Sequence, residues 1–305
     1  MAKFIMLIGP AGCGKSTYAK QLHSEDSNSV ILSSDAMRKE LFDDETYQGD
    51  NQRVFKNLIR RARKYLTEGI NVIWDATSMG RKNRIGILEQ LPAGTIAHAI
   101  IISATIDEII NQDSLRDRTV GKKVIMKHLM SFEPPWFSEG FSTIRVVGAS
   151  GYSRESLITA MKNCQHENPH HRPGSIYDHC DAMRTACVYD NIKNKDVGLN
   201  DYILQEACMY HDCGKPFVKF YDEDGIAHYH GHDGVGAYVF TTTLRNDVQP
   251  IMYGRHDKFL KVAVMIGEHM NMHQKQFRLD RLERRVGAEI VDLCKRLKFY
   301  DENYS

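Results

Sequence analysis

The first stretch whose residue types and spacing could do chemistry is Gly9-Pro-Ala-Gly12-Cys-Gly14-Lys15-Ser16. It fits G-x-x-x-x-G-K-[ST]. It follows the apolar run Lys3 to Ile8 and precedes a helical stretch from about Lys15, the setting in which backbone N–H groups turn toward phosphate oxygens. Gly9, Gly12 and Gly14 shape the turn, Lys15 neutralises the β and γ phosphates, and Ser16, with Thr17 behind it, offers a hydroxyl to Mg²⁺. ATP or another nucleoside triphosphate with Mg²⁺ is the ligand that fits. Three later stretches could serve the acceptor. In Ser34-Asp35-Ala-Met-Arg38 a carboxylate and a guanidinium stand three apart at a helix start. There the Asp can take a proton from an attacking hydroxyl and the Arg can hold a phosphate, and the plainer alternative is a helix cap beside a surface arginine. Asp75-Ala-Thr77 ends the run Ile70 to Trp74, where a carboxylate can stand near Mg²⁺. Arg116-Asp-Arg118 precedes Val120 to Met130, which reads as a flexible lid able to bring an arginine over the transferring phosphoryl group, or else as a solvated charge run.

A second chemistry is written in histidine. Only His23, His98 and His128 of the 14 histidines precede residue 150. His211-Asp212 closes an apolar helical stretch and offers one nitrogen and one oxygen to a cation, with His179, His232, His269 and Asp301 available to complete the set. Mixed N/O donors suit Mn²⁺, Ni²⁺, Co²⁺, Fe, Zn²⁺ or Mg²⁺. Lys215, three residues after Asp212, is placed to neutralise a substrate phosphate. His232 and His269 are candidates for a second metal or for protonating a leaving oxygen. His166, His228, His256 and His273 read as structural.

The elements that must position these groups divide in two. At about 150 residues per domain, 305 residues make two domains, here 1–150 and 151–305. Lys3–Ile8, Val30–Ser33, Ile70–Trp74, Thr95–Ser103 and Thr143–Val147 alternate with helical stretches, which predicts an α/β domain with a parallel sheet and helices on both faces. Asn51 to Leu66 is the clearest helix, with Phe55, Leu58, Ala62 and Leu66 on one face and Arg53, Lys56, Arg60, Arg63 and Lys64 on the other. Beyond Gly151 the spacing of Arg154–Cys164, Tyr202–His211, Phe259–Met270 and Arg281–Phe299 predicts an all-α domain. Seven cysteines without a C-x-x-C pair read as buried reduced thiols. No apolar run reaches the roughly 18 residues of a membrane span, and a cytoplasmic setting, bacterial or in a phage-infected host, is expected. Lys+Arg 40 against Asp+Glu 39 gives no global field for a polyanion, so any nucleic-acid binding must be local, on the Asn51–Leu66 basic face or on Arg81, Lys82 and Arg84.

Residues 1 to 148 resemble the kinase domain of phage-type polynucleotide 5′-kinases. The resemblance rests on the phosphate loop, Ser34-Asp35-x-x-Arg38, Asp75-Ala-Thr77 with Arg81, Arg116-Asp-Arg118-x-Val120 and Phe132-Glu133-x-Pro135. It implies that Asp35 is the base for a 5′-hydroxyl, that Arg38 contacts an acceptor 3′-phosphate, that Arg116 stabilises the transition state and that Arg118 serves the nucleotide. Gly121 departs from the usual Pro, and Gln112 from a frequent lid arginine. Residues 153 to 305 resemble the HD phosphohydrolases, matching His179, His211-Asp212-Cys-Gly214-Lys215-Pro and Asp301 in order, with Gln165-x-x-Asn168-Pro169-His170-His171 upstream and a last helix cut short near Asp301. Together the resemblances imply an enzyme that heals RNA or DNA ends, phosphorylating 5′-hydroxyls and removing 3′-phosphate or 2′,3′-cyclic phosphate ahead of a polynucleotide ligase. The competing expectations are a small-molecule or nucleotide kinase fused to a nucleotide phosphohydrolase, and an ATP sensor gating the second domain.

Overall fold

The computed structural model describes residues 2–167, 174–194, 198–245, 251–252, 254 and 257–304, and the chain forms two compact units. The upstream Asn168, Pro169, His170 and His171 and the structural His256 lie outside the described residues. The first unit runs β1 (Lys3–Ile8), α1 (Lys15–Glu25), β2 (Ser29–Ser33), α2 (Ser34–Phe42), α3 (Asn51–Thr67), β3 (Asn71–Asp75), α4 (Arg81–Leu88), β4 (Ile96–Ile102), α5 (Ile106–Ser114), α6 (Lys122–Met130) and β5 (Phe141–Val147). The five strands form one sheet in the order β2-β3-β1-β4-β5, every neighbour parallel. Parallel strands need apolar residues on both faces, and Phe4, Met6, Leu7, Ile8, Ile73, Trp74, Ile100 and Ile101 supply them, all buried. Ser33 pairs with Asp75, and Met6 with Trp74. The carboxyl ends of β2, β3 and β1 therefore lie together, which is where open α/β sheets take ligands.

On α3 the apolar stripe is Val54, Leu58, Ala62 and Leu66 with Ile59, while Arg53, Lys56 and Arg60 are exposed. The Asp50 side chain accepts from the Arg53 N–H at 2.9 Å and fixes the helix start. Phe55 is only half-buried and stacks on Trp74 with centroids 6.2 Å apart. The stretch expected as a lid, Val120 to Met130, is mostly the helix α6, on which Ile125 and Leu129 are fully buried. Arg84 corrects another expectation. It is wholly buried and cannot guide a polynucleotide: its Nε and Nη2 donate to Glu139 at 2.7 and 2.9 Å and its Nη1 to the Ser78 and Met79 carbonyls at 3.1 and 2.7 Å.

The second unit contains α7 (Arg154–Lys162), α8 (Ile176–Asn194), α9 (Leu199–Tyr210), α10 (Lys215–Val218), β6 (Phe220–Tyr221), β7 (Ala227–His228), α11 (His232–Thr242), α12 (Lys258–Met272), α13 (Leu279–Val286) and α14 (Ala288–Asn303). Helices dominate, but β6 and β7 form a small antiparallel hairpin that helical spacing did not anticipate. The run expected as one helix from Arg281 to Phe299 is split by Gly287, whose φ of 88° and ψ of 160° are not helical. The two units are not separated by one cut near residue 150. Leu129–Pro134 belongs to the second, and Ile251 joins the first by exchanging backbone hydrogen bonds with Ile144 at 3.0 and 2.8 Å. All seven cysteines are free and buried.

Because the Arg84–Glu139 pair is removed from water, deleting one partner leaves the other charge buried and uncompensated. Glu139→Ala should cost about 3–5 kcal/mol of stability, read as a lowered denaturant midpoint, whereas an exposed pair such as Lys64–Glu68 should cost less than about 1 kcal/mol when broken.

Candidate functional sites

The phosphate loop sits between β1 and α1, with Gly12 and Gly14 at φ of 83° and 94°, a region that L side chains enter only with strain. A Cβ at Gly12 would also stand 2.9 Å from the Ile109 carbonyl oxygen of α5. Lys15 is buried and its Nζ donates to the Pro10 carbonyl at 2.6 Å. The Ser16 hydroxyl donates to Asp75 Oδ2 at 2.7 Å, so the carboxylate ending β3 and the loop hydroxyl meet where a Mg²⁺ would use both. Gly9 is buried, and Thr17 lies on the exposed side of α1.

The acceptor candidates gather beside the same sheet edge. Ser33 Oγ caps α2 by accepting from the Ala36 N–H at 3.5 Å, which sets Asp35 and Arg38 on the first turn. Arg38, buried, donates through Nη1 to Asp35 Oδ1 at 2.9 Å and through Nη2 to Asn51 Oδ1 at 2.8 Å. Asn51 was not singled out in the sequence; its role is visible only once α3 folds against α2. The Asp35 side chain is 47% exposed and open to a substrate hydroxyl. Arg118 Nη1 lies 4.0 Å from Asp35 Oδ2, 3.6 Å from Glu45 Oε1 and 3.2 Å from the Glu45 carbonyl oxygen, to which it donates. Arg116, the arginine expected over the transferring phosphoryl, is 43% exposed, with its Nη1 3.8 Å from Asp113 Oδ1. Of the two arginines it is Arg118, expected on the nucleotide, that stands nearer Asp35.

In the second unit α8, α9, α11, α12 and α14 each bring one or more polar side chains inward. A reciprocal cap opens α8: Ser175 Oγ accepts from the Asp178 N–H at 3.2 Å, and Asp178 Oδ2 accepts from the Ser175 N–H at 2.8 Å. One residue later stands His179. Its Nε2 lies 3.3 Å from His211 Nε2, 3.7 Å from Asp212 Oδ2 and 3.3 Å from Asp301 Oδ1. His211 Nε2 is 3.4 Å from Asp212 Oδ2 and 3.6 Å from Asp301 Oδ1. On the other side of the same carboxylate, Asp212 Oδ1 is 3.2 Å from His232 Nε2 and 3.7 Å from His269 Nε2, which are 3.0 Å apart. Two donor groups thus share Asp212, one oxygen each.

The ring orientations suit a cation. Nδ1 of His211, His232 and His269 meets the carbonyl oxygens of Cys208, Tyr229 and Ile266 at 3.0, 2.8 and 2.6 Å. This holds the Nδ1–H form and aims each Nε2 at the centre. Facing Nε2 atoms at 3.0 and 3.3 Å repel unless a proton or cation lies between them. Donors bound to one ion at about 2.1 Å are spaced about 3.0–3.4 Å apart, close to the separations seen. Burial works to raise the Asp212 carboxyl, but Lys215 and then His211 outweigh it and hold it well below the usual carboxylate range. Burial likewise opposes ionisation of Asp301, and hydrogen bonds from His179, His211 and His273 overcome it. His269 is pushed down to about 3 by burial and by His232 and His211, so its ring is neutral at physiological pH.

Every metal candidate of the helical unit therefore joins one cluster. Among the described residues the geometry adds others. Cys180 belongs to the first donor group, within 4.8 Å of His179, His211 and Asp212, but its Sγ faces His211 Nδ1 at 3.8 Å, behind the ring edge that meets the other donors. His166 and His273, expected as structural, reach the cluster's partners. Lys215 Nζ lies 3.0 Å from His166 Nε2 and 2.6 Å from Asp212 Oδ2, and His273 Nε2 is 3.1 Å from Asp301 Oδ2. Neither has a helical or motif spacing that marks it, since both approach through tertiary packing.

Residues 4–135 match the family model described as an AAA domain. No curated protein matches the sequence. Solved structures that resemble it include a chain of the Pnkp1/Rnl/Hen1 RNA repair complex, at 23% identity and a TM-score of 0.38, covering 42% of this chain and 42% of that one. A gluconokinase from Sinorhizobium meliloti 1021 has 15% identity and a TM-score of 0.36, covering 49% of this chain and 84% of that one. A fungal RNA kinase has 15% identity and a TM-score of 0.37, covering 52% of this chain and 41% of that one. The chain thus spans less than half of the repair-complex chain it matches. With its phosphate loop and five-stranded parallel sheet, the first unit has a P-loop fold. No helix of the described residues is long and apolar enough to cross a membrane.

If each donor group holds an ion and Asp212 serves both, metal content should fall stepwise. Asp301→Ala should lose the ion held with His179 and His211 and keep the other, His269→Ala the reverse, and Asp212→Ala should lose both. Elemental analysis of purified protein reads this directly, and full occupancy in Asp212→Ala would make the carboxylate a structural group only.

Proposed function

We propose that the chain heals broken nucleic-acid ends, phosphorylating 5′-hydroxyls with ATP in the first unit and removing 3′-phosphate or 2′,3′-cyclic phosphate in the second. The observation that carries the reading is one chain holding two sites of opposite chemistry: a phosphate loop with an exposed, arginine-held carboxylate beside it, and a buried cluster in which Asp212 links two histidine pairs. Adding and removing phosphate at the same atom would be futile. A 5′-phosphate and a 3′-hydroxyl are the two ends a polynucleotide ligase joins, so action at opposite ends gives both sites one purpose.

In the first unit Lys15 and the loop N–H groups hold the triphosphate, with Ser16 and Asp75 as the residues for Mg²⁺. Asp35 accepts the proton of the attacking hydroxyl, and Arg38 orients it while presenting its guanidinium to an acceptor phosphate. Arg118, which lies nearer Asp35 than Arg116 does, would meet the charge that develops during transfer. In the second unit His179, His211, Asp212 and Asp301 would hold one divalent ion, and Asp212, His232 and His269 a second. Bound metal would acidify a water and polarise a phosphoryl oxygen. Lys215 neutralises the phosphate from beside Asp212, in the position His166 and Tyr229 help to fix.

Paired variants test the reading on oligonucleotides bearing 5′-hydroxyl and 3′-phosphate ends. Lys15→Ala should abolish 5′ labelling from γ-labelled ATP and leave 3′ phosphate release near the wild-type rate, and Asp212→Ala should do the opposite. Equal loss of both activities in either folded variant, or labelling of small molecules but of no oligonucleotide, would overturn it. Asp35→Asn should lower kcat of the kinase by about 10²–10⁴-fold while changing ATP affinity little. A lost ATP affinity with kcat intact would show that Asp35 is not the base.

A further inference from the structure

We propose that the exposed face of α3 is the track along which a single-stranded polynucleotide lies when its 5′-hydroxyl end reaches Asp35, with Lys56, Arg60 and Arg63 meeting successive backbone phosphates. The proposal rests on the reading of the first unit as a polynucleotide 5′-kinase and adds the surface that would separate a polynucleotide from a mononucleotide acceptor. Residues Asn51–Thr67 hold six Lys and Arg and no Asp or Glu. Arg53, Lys56, Arg60, Arg63 and Lys64 are all exposed, and at about 100° per residue they fall within one arc of about 100°. Val54, Leu58, Ile59, Ala62 and Leu66 are buried on the opposite side. From Arg53 to Lys64 the face extends about 16 Å along the axis, at about 1.5 Å per residue.

The cations of this helix are not equivalent. Arg53 lies over the Phe42 ring at 5.4 Å, and Lys64 is 4.0 Å from Glu68. Arg61, outside the arc, pairs with Glu40 of α2. Among the described residues Lys56, Arg60 and Arg63 have no carboxylate partner, and the Arg60 guanidinium donates to Asn57 Oδ1 at 2.9 Å. Like charges four apart on a helix repel, yet Lys56, Arg60 and Lys64 follow one another at that spacing. An anion lying along the face relieves the repulsion. Position ties the face to the acceptor site. Asn51, the first residue of α3, accepts from Arg38 Nη2 at 2.8 Å, and Arg38 holds Asp35 through Nη1 at 2.9 Å. The helix starts there and runs back to the turn that feeds the amino end of β3, so its cations begin beside the acceptor carboxylate and lead away from it. A strand whose end is bound at Asp35, with its first phosphate on Arg38, meets a charged path for the phosphates that follow. Contacts to backbone charge carry no sequence information, so the track is indifferent to base identity.

Steady-state kinetics of the full chain at saturating ATP tests the assignment with two acceptors. One is a 5′-hydroxyl single strand long enough to cover α3, and the other is a nucleoside 3′-monophosphate, whose one phosphate reaches only Arg38. The combined variant Lys56→Gln, Arg60→Gln, Arg63→Gln keeps helix propensity. It should raise KM for the strand about tenfold at low salt and flatten the slope of log KM against log salt by about 2, at about 0.7 per lost phosphate contact. Both kcat on the strand and KM for the mononucleotide should change less than about twofold. An unchanged KM and salt slope for the strand would overturn the track and leave the face as solvated surface. An equal rise in KM for both acceptors would overturn it by placing the effect at the Asp35 site. Should the combined variant fail to fold, the three single variants decide: each should flatten the slope by about 0.7, and no change in any of them would overturn the proposal. Wild-type chain that phosphorylated no strand would overturn the kinase reading and the track together, whereas an active wild type with an unaltered variant would overturn the track alone.

Discussion

Asp212 sets the terms for the whole helical unit. Its carboxylate is buried, yet it stays ionised because Lys215 touches one oxygen and a pair of histidines faces each oxygen from a different direction. A charge removed from water is tolerated only when all its lone pairs are met, so several helices have to arrive at fixed heights. Helix α9 ends so that His211 and Asp212 follow on its last turn, α11 begins at His232, α12 presents His269 three residues before its end, and α14 continues to Asn303 so that Asp301 lies on an ordered turn. Tyr300 secures that turn by donating from its hydroxyl to Asp190 Oδ2 at 3.0 Å, and His273 holds the outer oxygen of Asp301.

The first unit solves a different problem with the same economy of backbone. Parallel strands leave their carboxyl ends on one edge, so residues distant in sequence meet there without long-range design: Ser16 after β1, Asp35 after β2 and Asp75 at the end of β3. The Ser33–Asp75 register and the Ser16–Asp75 hydrogen bond tie these three ends together. Arg84 and Glu139 brace the unit from within, and that is why an arginine that looked free to meet a polynucleotide is not.

What could be read from the sequence follows from how local each signal is. The strands and the stripe of α3 were legible because period and turn residues act over a few positions. The phosphate loop was legible because its spacing is itself the mechanism, and the histidines around His211-Asp212 because so many imidazoles in one half need a common use. The hairpin of β6 and β7 was not, since two-residue strands carry no period, and the break at Gly287 was hidden inside an otherwise regular helical pattern. His166, His273 and Asn51 escaped for one shared reason: each meets its partner across a sequence distance of 13 to 49 residues. The relation of Arg118 to Asp35 belongs with them, because two arginines two positions apart differ in direction only once the turn between α5 and α6 is built.

If the two sites serve opposite ends of one substrate, the most direct measurement uses a single oligonucleotide that carries both a 5′-hydroxyl and a 3′-phosphate. Incubated with the wild-type chain, ATP and divalent metal, and followed by mass spectrometry of its terminal fragments, it should gain phosphate at the 5′ end and lose it at the 3′ end. Omission of ATP should stop only the first change. A 5′ end that stayed unphosphorylated with ATP present, or a 3′-phosphate that persisted while metal was bound, would contradict the account.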